Sequence, residues 1–150
     1  MSAGIHPEPE APLWRAIFDA LPLPAFIVDE DVRILHYNPV AAQLLGPAPK
    51  SSLWRRGGEV LHCVASERQG CGGSKLCRNC IIRNSVKEAV GGTDTFRKLH
   101  RAELLGSRGA TPVKLLVTAR RLSDGATPKV LLVLENVAQT LQVCKQHLDF

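Results

Sequence analysis

Aromatic side chains are scarce in this 150-residue chain, which has one Tyr, two Trp and four Phe. Platforms on which nucleic-acid bases stack are therefore poorly supplied. The formal net charge is +5, but the basic residues form no long run, so we do not expect nucleic acid as a partner. No apolar run approaches the ~20 residues that cross a bilayer, and no contact with a membrane is expected.

The sequence also lacks the patterns that direct secretion and those that are typical of catalysis. Residues 1–11 are rich in proline and glutamate and have neither the basic nor the apolar region of a secretory signal, which predicts a disordered leader and a cytoplasmic location. We find no phosphate-binding glycine loop, no Gly-x-Ser-x-Gly elbow and no paired-histidine motif. The chain is therefore not expected to be an enzyme.

The order of apolar patterns and helix breakers predicts a single domain. Asn38 followed by Pro39 is the pattern of an N-cap with proline in the first helical turn. Predicted helices span 13–21, 40–45 and 82–90, and predicted strands span 25–28, 32–37, 95–105, 113–120 and 130–134. The acidic run Asp29-Glu30-Asp31 is interpreted as a solvated hairpin turn between the first two strands. This order predicts an α+β fold, with a five-stranded antiparallel sheet, helices on one face and an exit helix.

Three stretches of the sequence form a familiar pattern: Ala20-Leu21-Pro22 leading into Ala25-Phe26-Ile27-Val28-Asp29, then Ile34-Leu35-His36-Tyr37-Asn38-Pro39-Val40-Ala41-Ala42, and finally Leu132-Val133-Leu134-Glu135-Asn136-Val137. The resemblance of residues 12–137 to the PAS domain family rests on these stretches. It implies a sensory module that encloses a cofactor or ligand. It also implies that the exit helix passes the signal to a partner or effector, such as a sensor kinase or a regulator.

Four of the five cysteines lie within eighteen residues, namely Cys63, Cys71, Cys77 and Cys80. In a reducing compartment, this crowding favours metal binding or redox chemistry over a disulfide framework. Only two residues separate Cys77 from Cys80, so both sulfurs can turn toward one centre. Glycines beside Cys71 let the backbone fold closely around a metal or sulfide. The spacing predicts that all four cysteines bind one metal centre.

The cysteine-rich insertion at 59–80 stands where PAS domains ordinarily have short helices. It is similar to cysteine-bearing PAS variants of bacterial sensor proteins, some of which carry iron–sulfur clusters. An iron–sulfur cluster that senses redox state, oxygen or another gas is our first interpretation. Structural zinc is the second, although typical cysteine-rich zinc sites close with two tight knuckles and this chain has one. A thiol–disulfide switch or reductase without metal is the third.

The surroundings of the cysteines add two expectations. The positive end of the helix that follows Cys80 should lower the pKa of its thiol. Four cations supply counter-charge to the thiolates: Arg68, Lys75, Arg78 and Arg83. His62 precedes Cys63, and we interpret it as a surface residue rather than a ligand.

Residues 138–150 are predicted to form the exit helix. A narrow apolar seam continues into it from Val137, through Leu141, Cys144 and Leu148. A helix this short is marginal alone and needs a second surface, so we expect a homodimer through the exit helix. Cys144 is interpreted as a packing residue of that seam.

Overall fold

The computed structural model describes residues 12–61, 63–64, 70–73, 75–106, 108–122, 126–138 and 141. The predicted leader at 1–11 lies outside the described residues. So do residues 142–150 of the predicted exit helix, with Cys144 and Leu148.

The described elements follow the predicted order. The helices are α1 (Leu13–Ala20), α2 (Pro39–Ala42), α3 (Gly57–Val60) and α4 (Ile81–Val90), and short 3-10 helices span Pro49–Ser52 and Lys75–Asn79. The strands are β1 (Ala25–Val28), β2 (Ile34–Tyr37), β3 (Thr95–Gly106), β4 (Gly109–Leu122) and β5 (Lys129–Asn136). Among the described residues, no helix is both long enough and apolar enough to span a membrane.

The five strands form one sheet in the order β2-β1-β5-β4-β3, and every neighbouring pair is antiparallel. The predicted five-stranded antiparallel sheet is therefore confirmed. The first and last strands meet at its centre, where Ala25 pairs with Val133 and Val28 with Val130. Because β5 is covered on both faces, it is a nearly continuous apolar run rather than an alternating one.

Two apolar clusters cover the two faces of the sheet. The larger one joins the sheet to α2, α3 and α4, and includes Phe26, Ile34, Ala41, Val60, Val86, Ala89, Leu115, Leu132 and Leu134. The smaller one joins Phe18 of α1 to Ile27 and Val133. Successive side chains of a strand point to opposite faces, so α1 covers the face opposite to the other helices.

Asn38 ties these elements together. Its side chain is fully buried, and its Oδ1 accepts from the amides of Ala25 (3.1 Å) and Ala41 (2.9 Å). Its Nδ2 donates to the carbonyls of Leu23 (2.8 Å), Phe18 and Leu21 (both 3.3 Å). The predicted N-cap of α2 is thus confirmed, and the same amide also holds the end of α1 and the start of β1.

Candidate functional site

A cavity of about 520 Å³ lies between the sheet face that carries the larger cluster and the cysteine-rich segment. Its apolar wall comes from side chains of the sheet that include Phe26, Ile34, Leu115, Leu132 and Leu134. On the other side, the residues that line it include all four crowded cysteines: Cys63, Cys71, Cys77 and Cys80. The fold therefore gathers the predicted site residues around one space.

Cys63 and Cys71 both lie close to Gly58, in the first turn of α3. A Cβ atom at position 58 would come within 3.0 Å of the Cys71 Sγ and 3.6 Å of the Cys63 Cβ. The Cys63 amide donates to the Gly58 carbonyl (2.8 Å), and Cys63 also forms an isolated bridge with Leu104 of β3. Gly58 thus allows both cysteines to approach the helix closely.

The glycines around Cys71 form a tight turn. The Gly73 amide donates to the Gly70 carbonyl (3.1 Å), and Gly70 and Gly72 have φ angles of 76° and 91°. Such positive φ angles favour glycine, so the glycines beside Cys71 permit this turn.

Cys77 and Cys80 lie in the turn that leads into α4. Cys77 is buried within the 3-10 helix Lys75–Asn79, and its carbonyl accepts from the Cys80 amide (3.2 Å). Cys80 itself is the N-cap residue of α4. The short turn between them places both residues on the cavity wall.

Arg83 connects the cysteines to a group of charges. Its Nη2 lies 3.2 Å from the Cys71 Sγ, and its Nη1 donates to the Asp31 carboxylate at 3.0 Å. Asp31 also accepts from Arg56 at 2.8 Å. Burial acts to raise the pKa of Asp31, but the hydrogen bonds from Arg83 and Arg56 outweigh it and hold this pKa below its usual value. A cation is thus fixed beside one cysteine sulfur.

Comparisons with known proteins identify the architecture that holds this cavity. A family model described as PAS domain matches residues 13–76. The PAS domain of an HTR-like protein from Haloarcula marismortui matches with a TM-score of 0.52 and 15% identity over 83% of this chain and 95% of that chain. The PAS domain of nitrogen regulation protein NR(II) from Vibrio parahaemolyticus matches with a TM-score of 0.56 and 13% identity over 85% and 100%. This chain has the PAS fold.

A third solved structure with a similar fold comes from a larger multidomain protein. It is a domain of a sensory box sensor histidine kinase/response regulator from Geobacter sulfurreducens, with a TM-score of 0.51 and 22% identity over 82% of this chain and 90% of that chain. No curated protein sequence matches the chain.

Within this fold, the cysteines line the cavity rather than converge on a point. Across the described parts of the chain, no three His, Cys, Asp or Glu side chains are grouped so that they could hold one metal ion. The four cysteines as ligands of one metal centre therefore remain a prediction. His62, the neighbouring histidine, lies outside the described residues.

One expectation about the cysteines is wrong. Burial raises the pKa of the Cys80 thiol above its ordinary value, and the neighbouring Cys71 and Cys63 raise it further. The backbone amides of Arg83 and Ile82, at the start of α4, act in the predicted direction but do not offset burial. Desolvation of the partly buried Cys80 thiol disfavours its thiolate more than these amides stabilise it.

The predicted counter-charge is concentrated in one residue. Arg83 contacts a cysteine sulfur, whereas Lys75 and Arg78 are exposed and Arg68 lies outside the described residues. Asp31 is not merely part of a solvated turn, since its carboxylate anchors Arg83. No local sequence pattern links these two positions.

His100 of β3 is a further cavity residue that the sequence did not single out. Burial lowers its pKa, which favours the neutral imidazole at the cavity wall. Its only sequence signal is its place within a predicted strand.

Proposed function

We propose that this PAS domain is a cytoplasmic sensory module in which Cys63, Cys71, Cys77 and Cys80 hold an iron–sulfur cluster. The observation that carries the proposal is that these four thiols line a single cavity of about 520 Å³. A cluster occupies the space between its ligands, so thiols spread around a cavity suit it. A single zinc ion instead requires that all four sulfur atoms lie about 2.3 Å from the same metal atom.

The chain's own residues provide what such a centre requires. Arg83 places a positive charge and an N–H donor at the Cys71 sulfur, which stabilises an anionic ligand. The apolar side chains of the sheet shield the other side of the cavity from water. When bound, the cluster would supply a centre whose charge or integrity depends on redox state, oxygen or another gas.

The sensory part of the proposal draws on the fold. Solved structures with the same fold include a PAS domain from a two-component sensor histidine kinase. By analogy, we propose that this domain passes its signal to a kinase or regulator partner and performs no catalysis itself. The exit helix would carry the signal and join two copies of the chain. Leu141, which is 63% exposed, is the apolar residue we assign to that contact.

The proposal is tested by anaerobic purification, with an absorption spectrum and with iron, sulfide and zinc measured per chain. We expect a coloured protein that contains iron and sulfide. Serine at any one of the four sites should reduce the iron strongly, whereas Cys144→Ser, the control outside the set, should leave it unchanged.

Each other result would identify a different function. Zinc without iron would replace the sensor with a structural-zinc interaction module. A metal-free protein whose thiols form disulfides reversibly would indicate a thiol–disulfide switch or reductase. Unchanged metal content in all four serine variants would overturn the four-cysteine assignment.

A further inference from the structure

Arg83 bonds to Cys71 and to Asp31, which lie in different parts of the chain. Its Nη2 contacts the Cys71 Sγ (3.2 Å) and donates to the Cys71 carbonyl (3.1 Å), while its Nη1 donates to Asp31 (3.0 Å). A guanidinium presents its donors in a rigid planar fork, so these bonds fix the position of Cys71 relative to Asp31.

The turn around Cys71 is shaped to admit this guanidinium. A Cβ atom at Gly72 would lie 2.7 Å from the Arg83 Cζ and 2.9 Å from its Nε and Nη2. The glycine backbone therefore packs directly against the face of the guanidinium. This contact keeps Arg83 in place even though its side chain is 22% exposed.

The second partner of Arg83, Asp31, belongs to the turn between β1 and β2. Asp31 lies in that turn, where the amides of Asp31 and Arg33 both donate to the Asp29 carboxylate at 2.9 Å. Arg56, the N-cap residue of α3, bonds the second oxygen of Asp31 at 2.8 Å. The Cys71 sulfur and the β1–β2 turn are thus both bonded to the guanidinium of Arg83.

We propose that Arg83 is a positioning residue that orients Cys71 toward the cavity and couples the position of its sulfur to the β1–β2 turn. The Cys71 sulfur and the Asp31 carboxylate share the donors of one guanidinium, so each contact restrains the geometry of the other. Loss of the sulfur leaves Arg83 bonded to Asp31 and to the backbone carbonyl at position 71. The effect on a bound centre rests on the proposed function, whereas the coupling itself belongs to the metal-free chain.

The coupling is tested in the metal-free full chain by hydrogen exchange at the amides of Asp31 and Arg33. We expect Arg83→Gln to speed this exchange about five-fold, because the turn loses one of its ion pairs. Lys87→Gln removes the same charge from the same helix at an exposed position and should leave the exchange unchanged.

A double-mutant cycle with Cys71→Ala then isolates the coupling. In the native background, Cys71→Ala should speed exchange in the turn about two-fold, and in the Arg83→Gln background it should have no effect. Cys77→Ala is the control, and its effect should be the same in both backgrounds. Equal effects of Cys71→Ala in both backgrounds, or none in either, would overturn the proposal. If Arg83→Gln does not fold, Arg83→Lys replaces it, because an ammonium lacks the planar fork.

A second readout separates this proposal from the proposed function. In iron-loaded protein, Arg83→Gln should lower the reduction potential relative to Lys87→Gln, because a positive charge beside a ligand favours the reduced centre. A wild-type chain that takes up no iron would refute the cluster, while the exchange cycle would still decide whether Arg83 couples Cys71 to the turn.

Discussion

Replacing Asn38 with alanine removes a side chain that bonds to the end of α1, the start of β1 and the first turn of α2. The amides of Ala25 and Ala41 lose their acceptor, and the Leu23 carbonyl loses a donor at 2.8 Å. The site is fully buried, so water cannot replace these partners without opening the fold.

The magnitude follows from these bonds. Three of them are 3.1 Å or shorter, and each buried polar group left unpaired costs about 1 kcal/mol or more. We expect Asn38→Ala to lower the free energy of unfolding by about 3–4 kcal/mol. For a domain of this size, that corresponds to a fall in Tm of roughly 10 °C or more.

Thermal and urea unfolding, followed by circular dichroism, measure this loss. Asn84→Ala is the matched control, because Asn84 makes an exposed bond to the Arg78 carbonyl, and its loss should cost less than about 1 kcal/mol. Asn38→Asp keeps both acceptor contacts but turns a carboxylate toward carbonyl oxygens, and should also be strongly destabilised. A cost below about 1 kcal/mol for Asn38→Ala would refute the idea that Asn38 joins the three elements.

Two further predictions concern the Asp31 network and the exit helix. Because the pKa of Asp31 is lowered in the folded protein, its stabilisation is present above the ordinary carboxyl pKa of 3.8 and is lost as the pH falls through the folded value. Urea unfolding should show that Asp31→Asn lowers the free energy of unfolding by less than about 1 kcal/mol at pH 7. This difference from wild type should disappear in acid, and a difference that does not change with pH would contradict the prediction. Light scattering should show a wild-type dimer that Leu141→Asp converts to monomers, and a wild-type monomer at high micromolar concentration would exclude the exit-helix contact.

The sequence determined the features that depend on short-range pattern. Alternating and continuous apolar runs marked the strands, and Asn38-Pro39 marked the start of α2, because both signals lie within a few residues. The eighteen-residue cysteine window also marked the four thiols as one group, because crowded cysteines in a short segment favour a shared site. The helix α3 and the 3-10 helices escaped prediction, since four or five residues are too few to show a period.

Only the tertiary structure decided which distant residues meet. Arg83 and Asp31 are 52 positions apart, and they bond because the central pairing of β1 with β5 and the packing of α4 bring the β1–β2 turn beside the cysteine segment. The Cys80 thiol shows the same dependence. Its neighbours in sequence favour a lower pKa, but the fold buries it, and desolvation disfavours the thiolate more than the nearby amides stabilise it. Burial is a property of the whole chain, so no local pattern could have supplied it.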